Sequence, residues 1–328
     1  MPGPAETSDP TRQLRELVET GRFREALQEH QATRDPAIRH RPEAELLAAT
    51  AATRLGEFAA GVALAESAFQ RFRSRADTDG RMRAMNLLGA IAFEQGRLEE
   101  ATRAFSEVLE LARQLDDTLM SAHASNNLAS VAHLRGEPES SLSLYRGALL
   151  AYQRLGDRRG TAQTYHNLGL SFRQSADWLD AESAALQAVR HATQVGEGSL
   201  IALAVSGRAE THLERGELEL AARELERATA LANQAGDEIG LLEISRLNAM
   251  LALASGDASS AFELAEAARR KAEALQSVQL EGECTAVAAL ACRQLGRESD
   301  AAVRREHALT IFGRLGAKWQ AQELERRW

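Results

Sequence analysis

The chain has 328 residues, with 39 Lys plus Arg against 47 Asp plus Glu, for a formal net charge of -8. That balance excludes the usual nucleic-acid binder, which sets a concentrated excess of cations against a phosphate backbone. Hydrophobic residues at 44% and charged residues at 26% exclude a disordered chain, and no uncharged apolar run reaches the length of a membrane span. Length alone predicts about two domains, a count that an internal repeat would overturn.

Residues 1–8 read as a flexible tail without the apolar core of a secretory signal. Asp9-Pro10 reads as a helix cap followed by the first helical residue. Gly21-Arg22-Phe23-Arg24-Glu25-Ala26 then has the look of a turn between two helices, and Pro36 and Pro42 end one helix and open the next. From there a strict grid takes over. Gly56, Gly96, Gly136, Gly216, Gly256 and Gly296 recur every 40 residues, with Ala176 in the one missing slot. Five residues later stand Gly61, Ala101, Ser141, Ala181, Ala221, Ala261 and Ala301, and seven residues earlier Ala49, Gly89, Ala129, Gly169, Ala209, Ala249 and Ala289. A fourth column is Ala68, Val108, Ala148, Ala188, Ala228, Ala268 and Ala308.

Each column has a physical meaning. The glycines sit between two periodic apolar stretches and mark the turn of a helical hairpin, where a left-handed backbone suits glycine. Small residues on either side let the two helices approach closely, while Leu88, Ile91, Leu98, Phe105 and Leu109 fill the groove beside them. Segments such as Leu155-Gly156-Asp157 and Ala235-Gly236-Asp237 end one hairpin and begin the next. The expected organisation is eight hairpins at about 9–36, 37–77, 78–117, 118–157, 158–197, 198–237, 238–277 and 278–317. A capping helix over 318–328 follows, with Trp319 and Leu324 covering the end of the stack and Glu323, Glu325, Arg326 and Arg327 facing water. The fold class is all-α: a right-handed solenoid of stacked antiparallel helical hairpins.

No proline follows Pro138, and Lys occurs only at Lys271 and Lys318, an arginine bias that points to a GC-rich bacterial genome. Cys284 and Cys292 are spaced too far apart on one helix to bridge, so a reducing cytoplasm is expected. No phosphate-gripping Gly-x-x-x-x-Gly-Lys-Ser/Thr loop, zinc-binding His-Glu-x-x-His or nucleophilic Gly-x-Ser-x-Gly is present. His123, His133 and His166 lack a chelating spacing and read as polar groove or surface residues. The expectation is a protein without enzymatic activity, cofactor or metal.

Tyr165, Leu168, Gly169, Phe172, Ala181 and Ala188 follow the tetratricopeptide-repeat pattern; so do Leu88, Gly89, Gly96, Ala101 and Phe105, and again Leu128, Gly136, Tyr145 and Ala148. The chain thus resembles the tetratricopeptide-repeat family over nearly its whole length. Its 40-residue units are similar to the long-helix variants of Pins-type adaptors, kinesin light chains, bacterial Rap-type receptors and MalT-like regulators. Arg208 and Asn248 depart from the leucine column, and Arg305 stands where Phe105 and Tyr145 do.

The resemblance implies a superhelix whose first helices line a concave binding groove. In the third and fourth units this face holds Asn86, Asn126, Asn127, Ser130 and His133. Later units add His166, Asn167, Leu170, Arg173 and Gln174, then Ser206, Glu210, Leu213 and Arg246. Family members use an Asn in the column of Asn127 and Asn167 to hold a ligand's main chain, because an amide both donates and accepts. The family's carboxylate clamp needs basic residues where this chain has Met82, Ala122, Ala162 and Ala202, so that clamp is not expected. Arg173 and Arg246 are left either to meet an acidic ligand or to pair with a neighbour such as Glu210. The implied function is a protein-interaction scaffold holding a peptide segment or partner protein in the groove. The alternative is a peptide or small-molecule sensor acting on a separate output partner. Neither nucleic acid nor membrane is an expected partner.

Overall fold

The computed structural model describes residues 10–328; the tail over 1–8 and the Asp9 cap lie outside the described residues. Among the described residues there is no strand, and every regular element is a helix. The first hairpin is α1 (Pro10–Glu19) and α2 (Phe23–Ala32), followed by a single turn, α3 (Pro36–Arg39). The long pairs are α4 (Pro42–Arg54) with α5 (Phe58–Ser74), α6 (Thr78–Glu94) with α7 (Leu98–Gln114), and α8 (Thr118–Leu134) with α9 (Pro138–Leu155). Next come α10 (Arg158–Gln174) with α11 (Trp178–Val195), and α12 (Gly198–Glu214) with α13 (Leu218–Ala235). The stack ends with α14 (Glu238–Ala254) and α15 (Ala258–Ala274), α16 (Val278–Gln294) and α17 (Glu298–Leu315), and a lone α18 (Lys318–Arg327).

Local chemistry sets these boundaries. The hairpin-turn glycines from Gly56 to Gly296 have φ between 71 and 84°, and Ala176 is forced to 56° in the same slot. At the junctions between hairpins Gly156, Gly196, Gly236 and Gly316 are also left-handed, but Ala76, Asp116 and Gln276 carry a side chain there at φ 55°. One residue on, Asp77, Asp117, Asp157 and Asp237 cap α6, α8, α10 and α14, each accepting a backbone N–H three residues ahead at 2.8–2.9 Å. Pro36 and Pro42 occupy the first turns of α3 and α4, so the second proline opens a helix as expected while the first opens the extra turn α3.

The small columns are buried throughout. Ala49, Ala129 and Ala289, then Ala101, Ala181 and Ala301, are all fully inaccessible. A methyl at Gly89 would stand 2.7 Å from the Phe105 ring, which shows how closely α6 and α7 approach there. The departures from the repeat pattern find partners instead of packing. Arg208 bonds Glu224 at 2.5 Å, and Arg305 lies 4.9 Å from the Trp328 ring at the C-terminus and pairs with Glu325.

Consecutive helices pack as antiparallel neighbours, and each first helix from α4 to α16 also packs on the next first helix, ending on α18. The first helices therefore form the inner row of the curve. The curve also returns upon itself. Arg54 at the end of α4 pairs with Asp237, 183 residues away and 1% exposed, and Arg24 reaches Glu238 at 3.4 Å. A Cβ at Gly56 would meet Leu275 at 2.7 Å, and one at Gly96 would overlap Leu315. Hairpin turns of the first half thus rest on hairpin junctions of the second.

The C-terminal helix takes part in that closure. Leu324 is buried in one cluster with Leu98, Leu134 and Phe312, and Trp319 lies over Gly136 with its ring 6.4 Å from that of His133. Glu323 and Arg327 do not face water as the sequence suggests. They are partly buried and turn inward, and Arg327 bonds Glu214 at 2.6 Å.

Candidate functional site

The inner row surrounds a cavity of about 780 Å³. One wall is apolar, with Phe93 from α6, Leu134 from α8, Leu290 from α16, Phe312 from α17 and Trp319 and Leu324 from α18. The charged part of the lining comes from α10, α12, α14 and α16, and α18 adds Glu323, Arg326 and Arg327.

Ion pairs join the first helices of that charged wall. Arg173 of α10 pairs with Glu210 of α12, and Glu210 also receives Arg246 of α14 at 2.8 Å. Arg246, 7% exposed, lies 2.6 Å from Glu243 and 3.1 Å from Glu283 of α16 as well. Burial opposes the charge on Glu210, yet Arg173 and Arg246 outweigh it and hold its pKa down at about 2. Burial likewise opposes the Arg246 cation, but Glu243, Glu210 and Glu283 raise its pKa well above the usual value. For Glu283 burial wins over the attraction of Arg246, and its pKa is raised. His133 is pushed down to about 4, first by burial and then by Arg173, so it is neutral near pH 7.

Of the residues read from the sequence, Ser130, His133, Asn167, Leu170, Arg173, Gln174, Glu210 and Arg246 line the cavity. Asn86, Asn126, Asn127, His166, Ser206 and Leu213 are not part of its lining. The asparagines largely serve one another: Asn127 Nδ2 donates to Asn86 Oδ1 at 2.9 Å, and Asn126 Oδ1 accepts from Thr164 at 3.1 Å and from Asn167 at 3.4 Å. Ser206 donates to the Leu203 carbonyl at 2.9 Å, and Leu213 is buried. His166 packs against Gly207, where even a methyl would collide with its ring. Arg173 and Arg246 are engaged by carboxylates, so their charge is already met within the wall.

Several lining residues are absent from that reading. Met250 and Leu290 continue the column of Ser130, Leu170 and Glu210, Ala286 continues that of Arg246, and Glu214 continues that of Gln174. Extending each column by one or two units would have found them. Gln320, Glu323 and Arg327 on α18 had no such signal, because the grid says nothing about which hairpins meet after a full turn. Met82, Ala122, Ala162 and Ala202 are all buried, leaving no basic clamp in those slots.

Cys284 and Cys292 are buried free thiols, and burial pushes the Cys284 pKa up to about 12. His123 Nδ1 is 2.8 Å from the Tyr152 hydroxyl, on the hairpin interior. Among the described residues no cluster of three or more His, Cys, Asp or Glu side chains is arranged to hold a metal ion, and no helix is long and apolar enough to cross a membrane.

A row of inward-facing first helices, a left-handed turn in each hairpin and a cavity on the concave side define a helical-repeat solenoid. Residues 120–194 match the family model of the tetratricopeptide repeat, and the chain as a whole folds as a solenoid of helical hairpins like those of tetratricopeptide-repeat structures. Its fold is similar to that of a Rap protein complexed with competence and sporulation factor, at 13% identity and TM-score 0.62 over 97% of this chain and 95% of that one. It is also similar to the Rap conjugation gene regulator of plasmid pLS20 in complex with the Phr* peptide, at 13% identity and TM-score 0.67 over 97% and 95% of the two chains. Aspartyl phosphate phosphatase F from Bacillus subtilis shares 13% identity at TM-score 0.52, over 100% of this chain and 96% of that one. Comparison with curated proteins by sequence gives no match.

Proposed function

We propose that this chain is a non-enzymatic interaction protein that binds a short peptide or a small molecule inside its superhelix, as part of a bacterial cytoplasmic regulatory system. It is organised as eight hairpins over 9–317 with a terminal cap. The observation that carries the reading is the cavity itself. At about 780 Å³ it falls in the range of small-ligand sites, about 300–1,000 Å³, with an apolar wall facing a few fixed polar groups. The return of the superhelix and the docked α18 narrow the groove, so a folded partner protein no longer suits it, while an extended segment of a few residues does. The same-fold structures that carry competence and sporulation factor or the Phr* peptide support this choice among groove ligands.

Contacts across the superhelical turn favour the sensor version over a passive adaptor. A ligand pressing on α8, α12 and α18 acts on the elements that hold the two halves together through Arg327–Glu214 and the Trp319–His133 contact. Ligand binding then changes the pitch of the whole stack, and the output partner reads that change.

Trp178 and Trp319 both border the cavity and report on it directly. A pool of synthetic pentapeptides and a size-fractionated metabolite extract, titrated separately, should give a saturable change in tryptophan fluorescence and a rise in Tm. Small-angle scattering should show a change in compactness with the same fraction. If neither fluorescence nor Tm responds to any fraction, the cavity is not a ligand site and the reading falls.

A further inference from the structure

The end of the cavity between α10 and α18 has acceptors without donors. Gln174 Nε2 donates to the His133 carbonyl oxygen at 3.3 Å, which fixes the orientation of its amide. Among the described residues its Oε1 is buried and accepts no hydrogen bond. Gln320, 8% exposed, also buries an Oε1 without a partner. Both side chains line the cavity, and they flank one contact: His133, whose carbonyl holds Gln174, and Trp319, which precedes Gln320. Buried amide oxygens are nearly always paired, because leaving one without a donor forfeits its solvation.

We infer that Gln174 and Gln320 are ligand-binding residues whose amide oxygens accept hydrogen bonds from N–H groups of the cavity's ligand, either the main-chain amides of a short peptide or a free amine. This deepens the cavity reading and rests on it. It moves the main-chain-reading role from the Asn127 column, where the amide is already bonded to Asn86, to two glutamines on α10 and α18. Because Gln320 belongs to the C-terminal helix, the ligand is clasped between α10 and α18. The charged wall begins at Arg173, next to Gln174, but its ion pairs are internal to it, so its charge is already met without a ligand.

The test uses the full chain and three probes: a pool of pentapeptides acetylated and amidated at their ends, the same pool N-methylated along the main chain, and spermidine. Binding is followed by tryptophan fluorescence in the wild type, Gln174→Met, Gln320→Met and Gln320→Glu. The expected result is that whichever probe binds the wild type is weakened at least tenfold by either Met variant and retained by Gln320→Glu, which keeps an acceptor. A peptide ligand should also lose at least tenfold on N-methylation, whereas binding of spermidine would identify the amine. Ligand-free Gln320→Met should melt no lower than the wild type, since the change removes an unpaired buried oxygen. Unchanged binding in both Met variants, equal binding of the N-methylated pool, or a lower Tm for Gln320→Met would overturn the assignment and leave the cavity reading standing. Silence of all three probes with the wild type would overturn the assignment, and the cavity reading would then stand or fall on the metabolite fractions.

Discussion

Glu210 and Arg246, on first helices of adjacent hairpins, meet at 2.8 Å inside the superhelix, and each has a further partner of opposite charge. The pair therefore belongs to a chain of charges that laces α10, α12, α14 and α16 along the cavity wall. Such networks stabilise little relative to apolar packing, but removing one member strands the others.

Arg246→Met should accordingly cost about 3–5 kcal/mol, because it leaves Glu210, Glu243 and Glu283 facing one another without their shared cation. Urea denaturation gives the measurement. Adding Glu283→Gln in the same chain should recover part of the loss, and a second change that made matters worse would show that the carboxylates do not repel.

Stability should fall as the pH drops from 6.5 towards 4. His133 and His166 are held neutral with pKa values of about 4, first by burial and then by Arg173. Between those values the unfolded chain binds protons that the folded chain does not, so folding is progressively disfavoured on acidification, by at most about 3 kcal/mol per histidine. Glu210 behaves differently, since its depressed folded pKa contributes stability at neutral pH that is lost progressively as pH falls from about 4.5 through about 2. Urea midpoints from pH 7 to 4 should decline in the wild type and decline less steeply in His133→Asn combined with His166→Asn, the remaining slope coming from His30, His123 and His191, whose pKa values burial also lowers.

Ala176→Gly should raise stability by about 0.5–1 kcal/mol, because Ala176 sits at φ 56° in a column otherwise held by glycine. Asp116→Gly and Gln276→Gly should behave alike. Gly96→Ala should lose about 2 kcal/mol or more, since it adds left-handed strain and drives a methyl into Leu315. Thermal melts of the four variants provide the comparison.

A chain ending at Gly316 should still form the hairpin stack but lose the clasp across the turn. Leu134 and Phe312 would lose Leu324 from their cluster, and Glu214 would lose Arg327. Binding of an apolar dye such as ANS should rise and the scattering radius should widen. An unchanged radius would show that α18 does not hold the two turns together.

The fold was legible because close helix packing leaves its mark on every unit. Ala101, Ala181 and Ala221 are small where two helices touch, and the turn glycines are left-handed, so a one-dimensional pattern encodes a local constraint. The departures were legible as departures, though not as solutions: Arg305 reads as a misfit until Trp328 and Glu325 are seen beside it. The candidate site was legible in part. Column positions on the first helices led to Arg173, Gln174, Glu210 and Arg246, while Asn127 was drawn in by family pattern and in the structure bonds Asn86.

By itself the sequence determined the repeat, its turns and the helices that face inward, because each of these depends on residues within one or two units of one another. The tertiary structure alone decided how tightly the stack coils. That pitch is a sum of small rotations at every junction, and it brings Arg54 to Asp237, Gly96 to Leu315 and the C-terminal helix to Leu134. Those meetings turn an open groove into a cavity, and no local pattern in the chain records them.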